Sequence, residues 1–528
     1  VDEASDIPPR IQRALLLARH LQERARLLQT PQERRQQIEL DRLISNPGDR
    51  ATLVKLTDQA FRTRLPERTV DQLIYILDAQ GVPRFFSPLE RTLLKGFQSF
   101  GGYLPGVAAP LIKEKMHQET ANVVLPAEHD MLTSHLERRR QQSIRMNVNY
   151  LGESLLGEKE AERRLNLYLQ ALQLPEIECI SVKISTLYSQ ISTLAWEHTI
   201  SELCDRMELL YRAAARGTFT RADGAVVPKF VYLDMEEYRD MSLTAEVFMR
   251  TLERGDLTSC SAGMVLQAYL PDSFSMQQRL TEWATRRVAA GGQPVTLRVV
   301  KGANLEMERV EASQRDWPQA PFTQKIQTDA NFKRMVEFGL AEEHHQAVRL
   351  GIASHNLFDV AYALVLAEEY KALPHIQFEM LEGMANPQRR ALFELTNDLL
   401  LYAPACNQTD FIHAIGYLVR RLDENTGVEN FLRYAFSVVP GSPDWETLAA
   451  AFVTSFQQIP HLSATPRRTQ NRRDAPRQPD ALQIPTSPTS PTSTFNEVLD
   501  SFVNEPDTDF SLRDNVRWAA EIVDTWQA

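Results

Sequence analysis

From residue 145 to residue 403 the chain repeats one unit: a short run rich in β-branched residues, then a longer segment with helical apolar spacing. The runs are Met146–Tyr150, Cys179–Ser185, Lys229–Glu236, Gly263–Leu270, Thr296–Ala303, Leu350–His355, Ile376–Leu381 and Asp398–Ala403. Segments such as Glu160–Leu172 and Phe358–Tyr370 fill the gaps between them. Strands joined by helices run parallel, because each helix carries the chain back to the edge where the last strand began. Eight such units over roughly 300 residues predict an α/β fold, a (β/α)8 TIM-like barrel. A doubly wound open sheet is the alternative. It would normally carry a glycine-rich phosphate turn after its first strand, and the sequence has none.

The flanks read differently. Residues 1–128 have helical spacing in Ile11–Leu21 and Asp71–Leu77, with Pro and Gly between, and predict an N-terminal α-helical arm. The barrel is expected over 129–460. Residues 461–528 begin with a stretch rich in Pro, Ser, Thr, Arg and Gln that predicts a disordered linker. The tail regains apolar spacing around Val516–Val523, too short for a domain and without an evident packing partner.

Composition excludes several classes. Net charge is −11, from 58 basic and 69 acidic residues, which argues against a general nucleic-acid binder. Cys179, Cys204, Cys260 and Cys406 are widely spaced with no CxxC pair, so they read as reduced thiols in a cytoplasmic setting. No apolar run reaches membrane-spanning length. His344 and His345 lack the HExxH register, and no metal site is expected.

A barrel places its chemistry at the C-terminal ends of its strands. Those ends are polar here: Ser181, Lys183 and Ser185 on one face of the second run, then Asp234, Glu236 and Glu237, Gln267, Arg298 and Lys301, and Ser354–Asn356. Further on, Tyr417, Arg420, Arg421 and Glu424 share one wall of a helix. Guanidinium forks bind carboxylates in bidentate fashion, so this wall suits a small amino acid. Lys183 is open to two readings, a carboxylate anchor or a Schiff-base nucleophile.

The ordered set Val182–Ser185, Tyr232–Glu236, Gln267–Tyr269, Leu297–Ala303, Thr328–Asp329, Ser354–Asn356, Phe378–Met384 and Tyr417–Glu424 resembles proline dehydrogenase. More closely, it is similar to the proline dehydrogenase half of bifunctional proline utilization A, over about residues 130 to 435. The resemblance implies a barrel that binds FAD and oxidises L-proline to Δ1-pyrroline-5-carboxylate, passing electrons to a quinone. It implies that Lys183, Arg420 and Arg421 hold the substrate carboxylate, with Tyr402, Tyr417, Leu381, Ala303 and Asn149 around the substrate. It assigns Gln267, Arg298, Lys301, Thr328, His355 and Glu424 to FAD, and makes Arg298, Lys183 and Asp234 the catalytic candidates. Asn149 stands where Asp is common and Asn304 where Tyr is common, which alters or widens the pocket. Tyr402 favours proline over hydroxyproline. The stretch Phe502–Phe510 is similar to the lead-in to an aldehyde dehydrogenase half, so a longer parent chain is expected. A quinone acceptor implies peripheral contact with an inner membrane; a homodimer is a further expectation. The rival readings are another cyclic amino acid dehydrogenase, a Schiff-base lyase using Lys183, and an interaction module built on the arm.

Overall fold

The computed structural model describes residues 7–474 and 505–527, apart from 45, 64, 85–87, 101–102, 104, 108, 111–112, 115–122, 153–156, 428 and 436. The Pro/Ser/Thr repeat at 485–492, Glu153 and Phe502–Asn504 lie outside the described residues.

Eight strands close a parallel barrel: β1 (Arg145–Tyr150), β2 (Cys179–Lys183), β3 (Phe230–Asp234), β4 (Gly263–Gln267), β5 (Val295–Val300), β6 (Val348–Ala353), β7 (Ile376–Leu381) and β8 (Leu400–Cys406), with the two-residue strand Leu125–Pro126 added to the sheet beside the end of β8. Each pairs with its neighbour in order, and β8 pairs back to β1. Every expected run is therefore a strand, and the barrel is closed. The second run is shorter than its alternation suggested: β2 stops at Lys183, and Ile184–Leu187 forms one helical turn. A small antiparallel hairpin, Thr218–Thr220 with Val226–Pro228, precedes β3.

The strands explain their own two-residue period. Ile180, Val182, Val231, Leu233, Leu297, Val299, Leu350 and Ile352 are buried, on one face of their strands. The alternate set, Ser181, Lys183, Tyr232, Asp234, Arg298 and Glu379, turns the other way and meets across the barrel interior. A mixed polar and charged interior departs from the usual packing of barrel layers with branched apolar side chains.

The first helix of the arm, Pro9–Leu28, belongs to the barrel. Ile11, Ala14, Ala18, Leu21 and Ala25 follow helical spacing and pack into the main core. Small side chains let this helix lie close against Leu357–Glu369 and Asn386–Thr396. The C-terminal flank also differs from expectation. Within the described part of the tail, Arg468 is buried against Glu308 and Asp509, and Asn515 bonds Gln470. Residues 462–474 and 505–515 thus pack against each other and against the barrel's loops.

Beside the barrel mouth, Lys301 Nζ lies 2.5 Å from Asp329 and 2.7 Å from Asp359, while Lys333 lies 3.0 Å from Asp359. Burial pushes both carboxyls up, but the lysines more than reverse this and hold them below the ordinary range. A carboxylate with a depressed pKa stabilises the fold above its ordinary pKa and loses that contribution as pH falls through the depressed value. Asp359→Asn should therefore cost about 3–5 kcal/mol at neutral pH, because it strands buried lysine charge. Melting temperature read from pH 7 to below the ordinary carboxylate range checks this: the gap between variant and parent should hold at neutral pH and narrow only below about pH 4.

Candidate active site

A cavity of ≈ 330 Å³ opens at the C-terminal ends of the strands. Its substrate-sized wall comes from β2 and the helix Ile415–Thr426. Lys183 is the last residue of β2, and its Nζ lies 2.6 Å from Glu236 Oε1, two residues beyond the end of β3. Ser185, carried on the helical turn after β2, also donates to Glu236. Burial would lower the Lys183 pKa, yet the Glu236 carboxylate more than reverses this and raises it. The same pairing holds Glu236 below the ordinary range against its own burial, with Arg420 adding to the effect. A Schiff-base lysine needs the opposite, a depressed pKa that frees the neutral amine. The Glu236 contact acts in the other direction at Lys183.

Tyr417, Arg420 and Arg421 line the cavity together. The Arg421 guanidinium sits 4.9 Å from the centre of the Tyr417 ring, a cation–π contact that fixes its plane. Glu424 lies in the same helix, but its side chain is outside the described residues. Asn149, Ala303, Asn304, Leu381 and Tyr402 complete this part of the lining.

Deeper in the barrel, Arg298 is the centre of a buried network. Its Nε donates to Glu379 at 2.6 Å and its Nη1 to Asp234 at 3.1 Å. The guanidinium lies 3.7 Å from the centre of the Tyr232 ring. Tyr402 donates to Asp234 at 2.8 Å, Ser181 to Asp234 at 3.1 Å, and Tyr232 to Glu379 at 3.0 Å. Burial raises the pKa of both Asp234 and Glu379, with the Arg298 charge opposing it. Gly351, on β6, has no side chain because a Cβ there would stand 2.5 Å from Glu379 and 3.2 Å from the Arg298 backbone.

Three buried polar atoms on cavity-lining residues have no hydrogen-bond partner among the described residues: Arg298 Nη2, Gln267 Oε1 and His355 Nδ1. Buried polar groups are ordinarily paired, so orphans grouped on one cavity point to a polar ligand. The Leu381 N–H donates to His355 Nε2 at 3.1 Å, so the ring's proton belongs on Nδ1. Burial holds His355 down at about 3, with Arg421 acting the same way, and the ring is a neutral donor. Gln267 is oriented by its Nε2, which donates to the Glu236 carbonyl at 3.2 Å. Lys301 brings positive charge to the same cavity. Gly302 follows it at φ +125°, where a Cβ would also collide with Tyr269 at 2.5 Å. Donors, one acceptor and positive charge together fit a flavin nucleotide, with a polar heteroaromatic ring and a pyrophosphate.

A proline dehydrogenase family model matches residues 132–434. The chain belongs to the proline dehydrogenase family. That family is flavin-dependent, in keeping with the donor set around the cavity. Proline utilization A from Corynebacterium freiburgense is 34% identical, covering 77% of this chain and 36% of its own, at a TM-score of 0.63. Proline utilization A from Bdellovibrio bacteriovorus, in a form inactivated by N-propargylglycine, is 25% identical over 96% of this chain and 47% of its own, at a TM-score of 0.71. Proline utilization A from Bradyrhizobium japonicum, at 21% identity and a TM-score of 0.61, shares the fold. The chain spans less than half the length of these structures' chains. No curated protein matches it.

Nearly all of the proline dehydrogenase residues expected from sequence meet at this one cavity. Lys183, Asp234, Gln267, Arg298, Lys301, Ala303, His355, Leu381, Tyr402, Tyr417, Arg420, Arg421 and Asn149 all line it. Thr328 does not: it sits one turn into the helix Lys325–Gly339, and Lys325 faces the cavity in its place. Sequence reasoning left Glu379 unassigned. Its signal was a lone acid inside the apolar strand Ile376–Leu381. Lys325, Asn430, Phe431 and Leu432, also cavity residues, carried no signal, since they lie at helix starts away from the strand runs.

Proposed function

We propose that this chain oxidises L-proline to Δ1-pyrroline-5-carboxylate with bound FAD, passing the electrons on to a quinone. What carries the reading is one juxtaposition: the cations Lys183, Arg420 and Arg421 line the same cavity as the atoms of Arg298, Gln267 and His355 that lack a partner among the described residues. Three cations lining one cavity suit a substrate carboxylate. Tyr417 and Leu381 supply apolar cover for a saturated ring. The flavin, when bound, supplies acceptance of a hydride. The residues hold the substrate so that a ring carbon, fixed relative to its carboxylate, meets the cofactor in one orientation. Orientation of that kind is worth about 7–11 kcal/mol of barrier. Arg298 adds fixed positive charge where negative charge would build up on reduction.

Among the described residues no helix is long and apolar enough to cross a membrane. The test is spectroscopic. Protein loaded with FAD should lose its visible flavin absorbance on adding L-proline without oxygen, and regain it with a soluble quinone. A protein that stays colourless after incubation with FAD, or whose flavin ignores proline, overturns the proposal.

A further inference from the structure

The buried network around Arg298 is not electrically balanced. Two carboxylates, Asp234 and Glu379, close on one guanidinium, and both acids are less than a tenth exposed. Asp234 has two hydroxyl donors, Tyr402 and Ser181, as well as the guanidinium Nη1. Glu379 takes the Nε of Arg298 and the hydroxyl of Tyr232, whose ring also stacks under the guanidinium. It thus acts on Arg298 in two ways, directly through its charge and indirectly through the ring beneath. The Nη2 left over lacks a partner among the described residues. Gly351 keeps the space that the pair needs, and no larger residue could stand there without displacing the carboxylate.

We propose that Glu379 is a positioning residue that fixes the Arg298 guanidinium and sets how much of its positive field reaches the cavity. The inference rests on the flavoenzyme reading above. A buried negative charge 2.6 Å from the guanidinium cancels part of its field at short range, where little solvent screens it. Reduction places negative charge on the cofactor. An arginine relieved of its carboxylate would stabilise that charge more, so neutralising Glu379 should make the bound flavin easier to reduce. Asp234 is the counterpart that stays in place, which keeps Arg298 in the barrel when Glu379 is neutral.

Glu379→Gln tests this with the midpoint potential of the bound FAD as the readout. The amide keeps the shape and can still accept from Arg298 Nε. The potential should move positive by about 30 mV or more, a tenfold change in the reduction equilibrium for a two-electron couple. Glu379→Asp keeps the charge and should stay near the parent potential. Tyr232→Phe removes the hydroxyl that stabilises the carboxylate, and should shift the potential in the same direction by a smaller factor. If Glu379→Gln does not accumulate as folded protein, Tyr232→Phe and Glu379→Asp carry the test. An unchanged or more negative potential in flavin-loaded Glu379→Gln, or in Tyr232→Phe where the former does not fold, overturns the proposal. Parent protein that binds no flavin overturns the dehydrogenase reading instead, so the two failures are distinguishable.

Discussion

Lys183→Met should lower kcat/KM for proline by about 10²–10³-fold, chiefly through KM. Two losses combine. The substrate carboxylate loses a cation, and Glu236 loses the partner 2.6 Å away that holds it ionised inside the cavity. A lost contact between charged groups is worth about 1.5–3 kcal/mol of substrate binding, the stranded part-buried Glu236 adds to it, and each 1.36 kcal/mol is tenfold in rate. Ser185 and Arg420 still favour the ionised form of Glu236, so in Lys183→Met the charge it keeps would also repel an incoming carboxylate. The second change Glu236→Gln should then recover part of the loss, although alone it removes a buried partner and lowers activity. Steady-state kinetics on the two single variants and the double variant, normalised to flavin content, read this directly. A double variant no better than Lys183→Met would show that the lysine acts on substrate alone. If Lys183 were a Schiff-base nucleophile, no second-site change at Glu236 could restore turnover.

How much of this was legible beforehand depends on the range of each interaction. The barrel was readable because its signal is local: a two-residue period in eight runs, each spaced by a helix. The polar strand ends were readable for the same reason, since Lys183, Asp234, Gln267 and Arg298 interrupt apolar runs within a few residues. The pairing of Lys183 with Glu236 was not, because they are 53 residues apart and meet only when β2 and β3 align Lys183 with Asp234. Glu379 and Arg298, 81 residues apart, likewise meet only across the closed barrel. The linker shows the opposite error. Composition marks 461–474 as unable to build a core, yet Arg468 needs none of its own. It inserts between Trp317 and Tyr238 of the barrel loops and meets carboxylates already there. Composition reports what a segment can bury by itself and says little about what it can borrow.

The arginine pair should divide its work unequally, and that division separates a docking wall from a charged surface. Arg420 is half-buried and acts electrostatically on both Lys183 and Glu236, so it faces the place where a carboxylate would sit. Arg421 is buried, stacked on Tyr417, and felt by His355. Hydrogen bonds to charged groups contribute about 1.5–3 kcal/mol each. Arg420→Ala should therefore raise KM for proline by about 10–100-fold, with flavin content unchanged and kcat within a few-fold. Arg421→Ala should match it in KM and also lose flavin affinity, because the helix wall beside His355 loosens with it. Arg420→Lys keeps the charge but not the fork, and should recover only part of the loss. The two alanine effects should fall short of additive, since neighbouring groups that share one ligand couple. Flavin fluorescence titration beside proline kinetics reads both effects on one preparation. A KM unmoved by Arg420→Ala would mean that the cations on this wall serve the fold and that the carboxylate docks elsewhere.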